Sequence, residues 1–165
     1  MSAVTSFSPI ADKSARVLVL GSMPGVLSLK ANQYYAHPRN AFWHIMASIY
    51  GFSAELPYES RVEQLKASGV ALWDVLHACV RVGSLDSAIE KGSRVPNSFQ
   101  SFFQQHPRIN FVGFNGAEAE RSFNTYALPH LDISGISFAR LPSSSPAHAV
   151  SLEQKVAAWQ AALGA

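Results

Sequence analysis

Four short apolar runs, "RVLVLG" (16–21), "VALWDVL" (70–76), "INFVGF" (109–114) and "ISFARL" (136–141), recur along the chain with helix-type or turn-rich sequence between them. Their apolar residues are nearly continuous rather than alternating, as in strands covered on both faces, and buried strands interleaved with helices assemble into a parallel sheet. The expected fold is α/β: a three-layer sandwich with a central, mostly parallel four-stranded sheet flanked by helices. Sheets of this kind bind ligands beyond the carboxyl ends of their strands. The loops after Leu20, Val75, Phe114 and Leu141 are therefore expected to converge on one site.

The intervening segments carry helical signals. From Ala41 the positions Phe42, Ile45, Met46 and Ile49 recur at helical spacing until Gly51, and a second helix spans about Tyr58 to Ala67 and ends at Gly69. Residues 97–105 read as a short helix, and Asn115 to about Tyr126 as another, with Asn115 and Glu118 at capping-box spacing. The last helix has Leu152, Val156, Trp159 and Leu163 on one face, with Ser151 and Gln154 at cap spacing. "HACVRVGSLDSAIEKGSRVPNS" (77–98) is too polar and glycine-rich for one long element and reads as a functional loop with helical turns.

A length of 165 residues with 48% apolar content suits one soluble domain, expected over 1–165 with 1–14 as a loosely ordered lead-in. A formal net charge of +2 argues against a large cationic field, so any nucleic-acid partner is met by a local patch. The single cysteine, Cys79, excludes an internal disulfide and a four-cysteine metal site. No run approaches the roughly 18 apolar residues of a membrane span, and "MSAVTSFSPIADKSA" lacks a signal-peptide pattern. An intracellular, cytoplasmic monomer without membrane contact is expected.

The connection "GSMPGVLSLKANQYYAHPRNAFWHIM" (21–46) concentrates turn residues and planar polar side chains after the first strand run. It has neither G-x-G-x-x-G nor a Gly-Lys-Ser/Thr ending, which removes the dinucleotide and phosphate-loop readings. Histidines 37, 44, 77, 106, 130 and 148 form no HExxH or tight helical pair, so no metal site is expected. "SSSPAHA" invites a serine-hydrolase reading, but it lacks the G-x-S-x-G elbow, and serines beside proline are more often just a turn.

The blocks "LGSMPG" (20–25), "YYAHPRNAFW" (34–43), "GVALWDVL" (69–76), "VGFNG" (112–116) and "LPSSSPAH" (141–148) together resemble the uracil-DNA glycosylase superfamily, most closely its hypoxanthine-DNA (deoxyinosine) glycosylase branch. The resemblance runs nearly the whole chain, and the second block is its most specific part. It implies a monofunctional glycosylase of base excision repair. Such an enzyme flips a deaminated base out of damaged DNA and hydrolyses its N-glycosidic bond, hypoxanthine first, with uracil or xanthine as further substrates.

Residue roles follow from that resemblance. The first motif, Gly21-Ser22-Met23-Pro24-Gly25, lines the base pocket, but Met23 stands where the superfamily usually has a water-activating Asp or Asn. A thioether neither accepts nor orients a water's proton, so uracil excision from that position lacks its usual residue. In the hypoxanthine branch the catalytic residue is the asparagine of the His-Pro-Arg-Asn run, which falls on Asn40. Its carbonyl can hold a water in line with the anomeric carbon, although an asparagine at the start of a helix also serves as a cap.

Tyr35 falls at the stacking aromatic of the mismatch-specific relatives, leaving Tyr34 for the core. Asp74 falls at the base-reading position of the second strand, where a carboxylate suits an N–H of a purine edge; a strand-end cap is its other reading. Asn115 is a further base contact or a helix cap. In the relatives the loop matching Ser143, Ser144, Ser145, Pro146 and His148 enters the minor groove, and the position of the uracil enzymes' histidine is Leu141 here. Arg39 and Arg140 flank these loops and either contact phosphates or are plain solvated arginines. Two alternatives stand beside the enzyme: a non-catalytic module that binds damaged DNA, and a small-molecule hydrolase using a serine of "SSSPAH".

Overall fold

A computed structural model of the chain describes residues 3–164. Its centre is a sheet of four strands, β2 (Val17–Gly21), β3 (Val70–Asp74), β6 (Phe111–Asn115) and β7 (Ser137–Leu141), in the order β3-β2-β6-β7. All three pairings are parallel, so the four carboxyl ends lie along one edge of the sheet. The chain leaves β2 towards β3 on one side and later takes up β6 on the other. That reversal opens a crevice beside the end of β2.

A short helix, α1 (Val26–Ala31), follows β2, and the helices after it cover both faces. Alternate β2 residues Leu18 and Leu20 enter a cluster with Phe99, Phe102 and Phe103 of α4 (Phe99–Gln105), Ala119 of α5 (Ala117–Ser122), and Phe123. Val19 and Leu72 face the opposite cluster, built from Phe42, Ile45 and Met46 of α2 (Phe42–Tyr50), Leu65 of α3 (Tyr58–Ala67), and Trp159 of α6 (Leu152–Leu163). Burying each such large apolar side chain contributes roughly 1.5–3 kcal/mol, which fixes which faces the strand residues take and hence where the loops emerge. α2 stops at Gly51, in the left-handed conformation at φ 78°, and α6 starts with the Ser151–Gln154 capping box.

Several local expectations are corrected. Residues 1–14 are not wholly a loose lead-in: β1 (Ala3–Thr5) pairs antiparallel with β4 (Leu76–Val80), and Ile10 bridges to Leu72. Residues 1, 2 and 165 of the expected 1–165 domain lie outside the described residues. The run at 70–76 is two strands, broken after Asp74, and β4 belongs to a small second sheet with β1 and β5 (Val95–Pro96). The 77–98 segment therefore starts as strand, and only 81–94 crosses as a loop. Asn115 does not cap a helix: it ends β6, and Gly116 stands at the N-terminus of α5 with φ 94°. A Cβ at Gly116 would also crowd Ser143 Cβ at 3.2 Å. On α6 Leu152 is exposed and Lys155 is buried, the reverse of their polarities.

Candidate active site

Gly21 and Asp74 end adjacent strands in register. A Cβ at Gly21 would lie 2.6 Å from Asp74 Oδ1 and 2.7 Å from Tyr35 Oη, so glycine is what lets the carboxyl and the phenol converge against the β2 backbone. Asp74 is buried and its Oδ2 has no hydrogen-bond partner among the described residues. Burial, aided by the nearby Asp86 charge and opposed by Arg81, raises the Asp74 carboxyl to about 7. The strand-end cap reading does not hold, because the Val75 and Leu76 N–H groups donate to the Gly21 and Ser22 carbonyls and not to the Asp74 carboxylate.

Tyr35 sits at φ 55°, a left-handed conformation that a bulky residue adopts only when its surroundings impose it. Its ring stacks on Phe42 at 4.2 Å, and its hydroxyl accepts Asn115 Nδ2 at 3.0 Å. Burial pushes its phenol well above the ordinary tyrosine value, so it stays neutral. Tyr34 is a core residue: its hydroxyl donates to the Ser8 carbonyl, and its own carbonyl accepts Trp43 Nε1.

Asn40 lines the same cleft as Tyr35 and Asp74. Its Oδ1 accepts the Phe42 N–H at 3.0 Å. The side chain thus closes a local turn at the entry to α2 while remaining on the cleft wall. The N-cap itself is Ala41, so the capping expectation for Asn40 is corrected to a turn one residue earlier. The backbone bond from the Ala41 N–H to the Ser144 carbonyl, 2.9 Å, ties this loop to the serine loop. Arg39 is exposed one residue earlier, whereas Arg140 pairs with Glu120 at 3.6 Å.

The first loop is held by residues 81–88, part of the stretch that the sequence reads as a functional loop with helical turns without singling out a residue in it. Ser22 Oγ donates to Asp86 Oδ1 at 2.6 Å, the Val26 N–H donates to Ser84 Oγ at 2.8 Å, and the buried Arg81 donates to the Pro24 carbonyl. Met23 is buried in the apolar cluster beneath this loop. Ser22, Met23 and Pro24 thus form a wall rather than a row of free polar groups.

Asn115 is spent on protein partners. Its Oδ1 accepts the Ser144 N–H at 2.8 Å, and its Nδ2 donates to Ser144 Oγ at 2.8 Å as well as to Tyr35. The amide joins the ends of β6 and β7 to the aromatic loop, so the direct base contact expected of it is replaced by a brace. Ser144 is buried in this clasp, which corrects its expected place on the DNA-facing surface. Ser143 and Ser145 line the cleft with His148, and Pro146 is exposed at the second position of a turn closed by the His148 N–H to the Ser145 carbonyl, 3.0 Å. Among the described residues none of the three serine hydroxyls is hydrogen-bonded to a histidine, which leaves a serine nucleophile without its base.

Two groups of α6 grip this loop: Trp159 Nε1 donates to the Pro142 carbonyl at 2.8 Å, and Lys155 Nζ to the Ser145 carbonyl at 3.1 Å. Burial lowers the Lys155 ammonium below its usual value. Lys155 precedes Trp159 by one helical turn, so a cation on the apolar face was its available sequence signal; Asp86 and Arg81 left none, since their partners are distant in sequence.

The elements enclose a cleft of about 370 Å³ at the carboxyl edge of the sheet. The structure brings Gly21, Ser22, Met23, Pro24, Tyr35, Asn40, Asp74, Asn115, Ser143, Ser144, Ser145 and His148 together there and leaves Arg39 and Pro146 outside its lining. Among the described residues no group of three or more His, Cys, Asp or Glu side chains is arranged to hold a metal ion, and no described helix is long and apolar enough to cross a membrane.

Residues 8–163 match the family model described as the uracil DNA glycosylase superfamily. The chain is 36% identical over 154 residues to a hypoxanthine DNA glycosylase of Methanosarcina barkeri, covering 93% of each protein. It is 33% identical over 156 residues to a hypoxanthine DNA glycosylase of Methanosarcina acetivorans, covering 94% of each. Its fold is similar, with a TM-score of 0.81 and 29% identity over 96% of this chain and 95% of the other, to the solution NMR structure of an M. acetivorans protein provisionally named a uracil DNA glycosylase.

Proposed function

Given that the chain belongs to the uracil DNA glycosylase superfamily, we propose that it is a monofunctional DNA glycosylase that releases hypoxanthine from deaminated DNA, acting as a monomer without metal or cofactor. The observation that carries this reading is the meeting of Asn40, Tyr35 and Asp74 in one cleft at the carboxyl edge of the sheet.

Cleavage of the N-glycosidic bond passes through an oxocarbenium-like sugar while negative charge leaves on the base. A base turned out of the duplex stacks on the face of Tyr35 that Phe42 leaves open, and base–aromatic stacking contributes about 1–3 kcal/mol. Asp74 Oδ2, buried without a partner, accepts the N1–H of hypoxanthine; adenine presents a lone pair at N1 and is repelled by the same carboxylate. Asn40 Oδ1 keeps a second lone pair beyond its bond to Phe42 and holds the attacking water through it. His148, Ser143, Ser145 and Pro146 meet the DNA backbone and fill the gap left by the everted nucleotide, with Arg39 contacting phosphate.

The test is a base-release assay on duplexes carrying inosine, uracil or xanthine. Release of hypoxanthine at the highest rate is expected. Tight binding to damaged duplex with no release of any base would favour the non-catalytic module, a reading to which the burial of Met23 in the core lends some support.

A further inference from the structure

The candidate site as assembled above has a water holder but no group that takes the water's proton. An amide is a negligible base near neutral pH, Met23 has no basic atom, Asp74 is committed to the base, and His148 is exposed on the 145–148 turn that meets the DNA backbone. Asp86 lines the same cleft and is tied to Ser22 of the first loop. Ser22 directly precedes Met23, the position at which that loop lacks a polar side chain.

Its placement is fixed rather than incidental. Ser22 Oγ holds Oδ1 at 2.6 Å, Ser84 two residues earlier is tied to the Val26 N–H, and Ile89 three residues later is buried and bridged to Arg81. The hydroxyl occupies one lone pair of Oδ1, leaving Oδ2 free to accept. We propose that Asp86 is a catalytic carboxylate of this glycosylase, accepting the proton of the water that Asn40 positions. The inference rests on the glycosylase reading above.

In the step, the water oxygen bonds to C1′ as the C1′–N9 bond breaks with its electron pair leaving on the purine, and one water proton passes to Asp86. That proton then returns through solvent to the departed base, restoring the carboxylate; the sum is nucleotide plus water giving abasic sugar plus hypoxanthine. Two carboxylates in one cleft divide their duties when one holds its proton more readily than the other. Asp74, fully enclosed, holds a proton more readily in the free protein, its elevation deriving in part from the Asp86 charge, and it is the ionised form that accepts the N1–H. Asp86 is itself raised by burial and by Glu118, against the Ser22 hydrogen bond and the cations Arg81 and Arg94.

Single-turnover release of hypoxanthine from an inosine duplex, followed across pH for wild type, Asp86→Asn and Ser22→Ala, tests the assignment. Asp86→Asn should slow release about 100-fold or more, lose the acidic limb of the pH–rate profile, and leave duplex affinity by anisotropy within about threefold. Ser22→Ala removes the hydrogen bond that favours the ionised form, so it should slow release roughly tenfold and move the acidic limb to higher pH. If Asp86→Asn is poorly folded by circular dichroism, the shift in Ser22→Ala decides. Wild-type kinetics and profile in both variants would overturn the inference while leaving the glycosylase reading intact. A wild-type chain that releases no base would overturn both.

Discussion

Gly21 and Asp74 face each other across the β2–β3 ladder so closely that a single added carbon at position 21 would sit 2.6 Å from the Asp74 carboxyl oxygen. The Gly21→Ala protein should therefore displace Asp74 or Tyr35, lose about 1–3 kcal/mol of stability from overpacking, and lose base release well beyond what that destabilisation explains. Thermal unfolding and single-turnover rates measured on the same preparation separate the two effects.

Asn40→Ala should reduce release about 100-fold or more and cost roughly 1 kcal/mol of stability, since the Phe42 N–H loses its acceptor. Asn40→Asp keeps that acceptor and should restore the stability; comparing the two variants' melts with their rates isolates the chemical contribution.

The Asp74 carboxyl is raised to about 7 from an ordinary 3.8. The folded state therefore binds more protons than the unfolded chain between those values, and stability falls as pH rises through that window. Asp74→Asn should flatten this dependence and be more stable than wild type at pH 8, by up to a few kcal/mol. Denaturant midpoints at pH 5, 6, 7 and 8 provide the check; a wild-type profile as flat as the variant's would exclude a buried, proton-holding carboxyl.

Lys155→Ala should strip the Ser145 carbonyl of its ammonium donor, costing about 1–3 kcal/mol, and loosen residues 143–148. Affinity for duplex containing an abasic site should fall by more than the affinity for undamaged duplex, as titrations by anisotropy would record. Lys155→Met preserves the packed stem and should recover only the packing share of the stability, not the lost hydrogen bond or the affinity.

The central sheet, α2 and the start of α6 were legible because their signals are local: a continuous apolar run, an apolar face ended by Gly51, and a capping box between Ser151 and Gln154. Local reasoning failed at Asn115 for a related cause. Its spacing to Glu118 suits a helix cap, yet Ser144 and Tyr35, 29 and 80 residues away, offer its amide three hydrogen bonds where a cap offers one. The small sheet was missed because β1 and β5 are only three and two residues long and carry no periodicity.

The site divided along the same line. Asn40, Tyr35 and Asp74 were placed by resemblance, and the fold then supplied their common cleft. Asp86 and Arg81 stayed invisible because their ties to Ser22 and Pro24 span 64 and 57 residues. No pattern within a window can express such a contact.

The grip of Lys155 and Trp159 on the carbonyls of Ser145 and Pro142 also sets an order of assembly. The four strands can pair, and Asn115 can clasp Ser144, before α6 has docked. A folding chain at that stage carries a finished floor and a rim hinged on one side. Docking of α6 fastens the other.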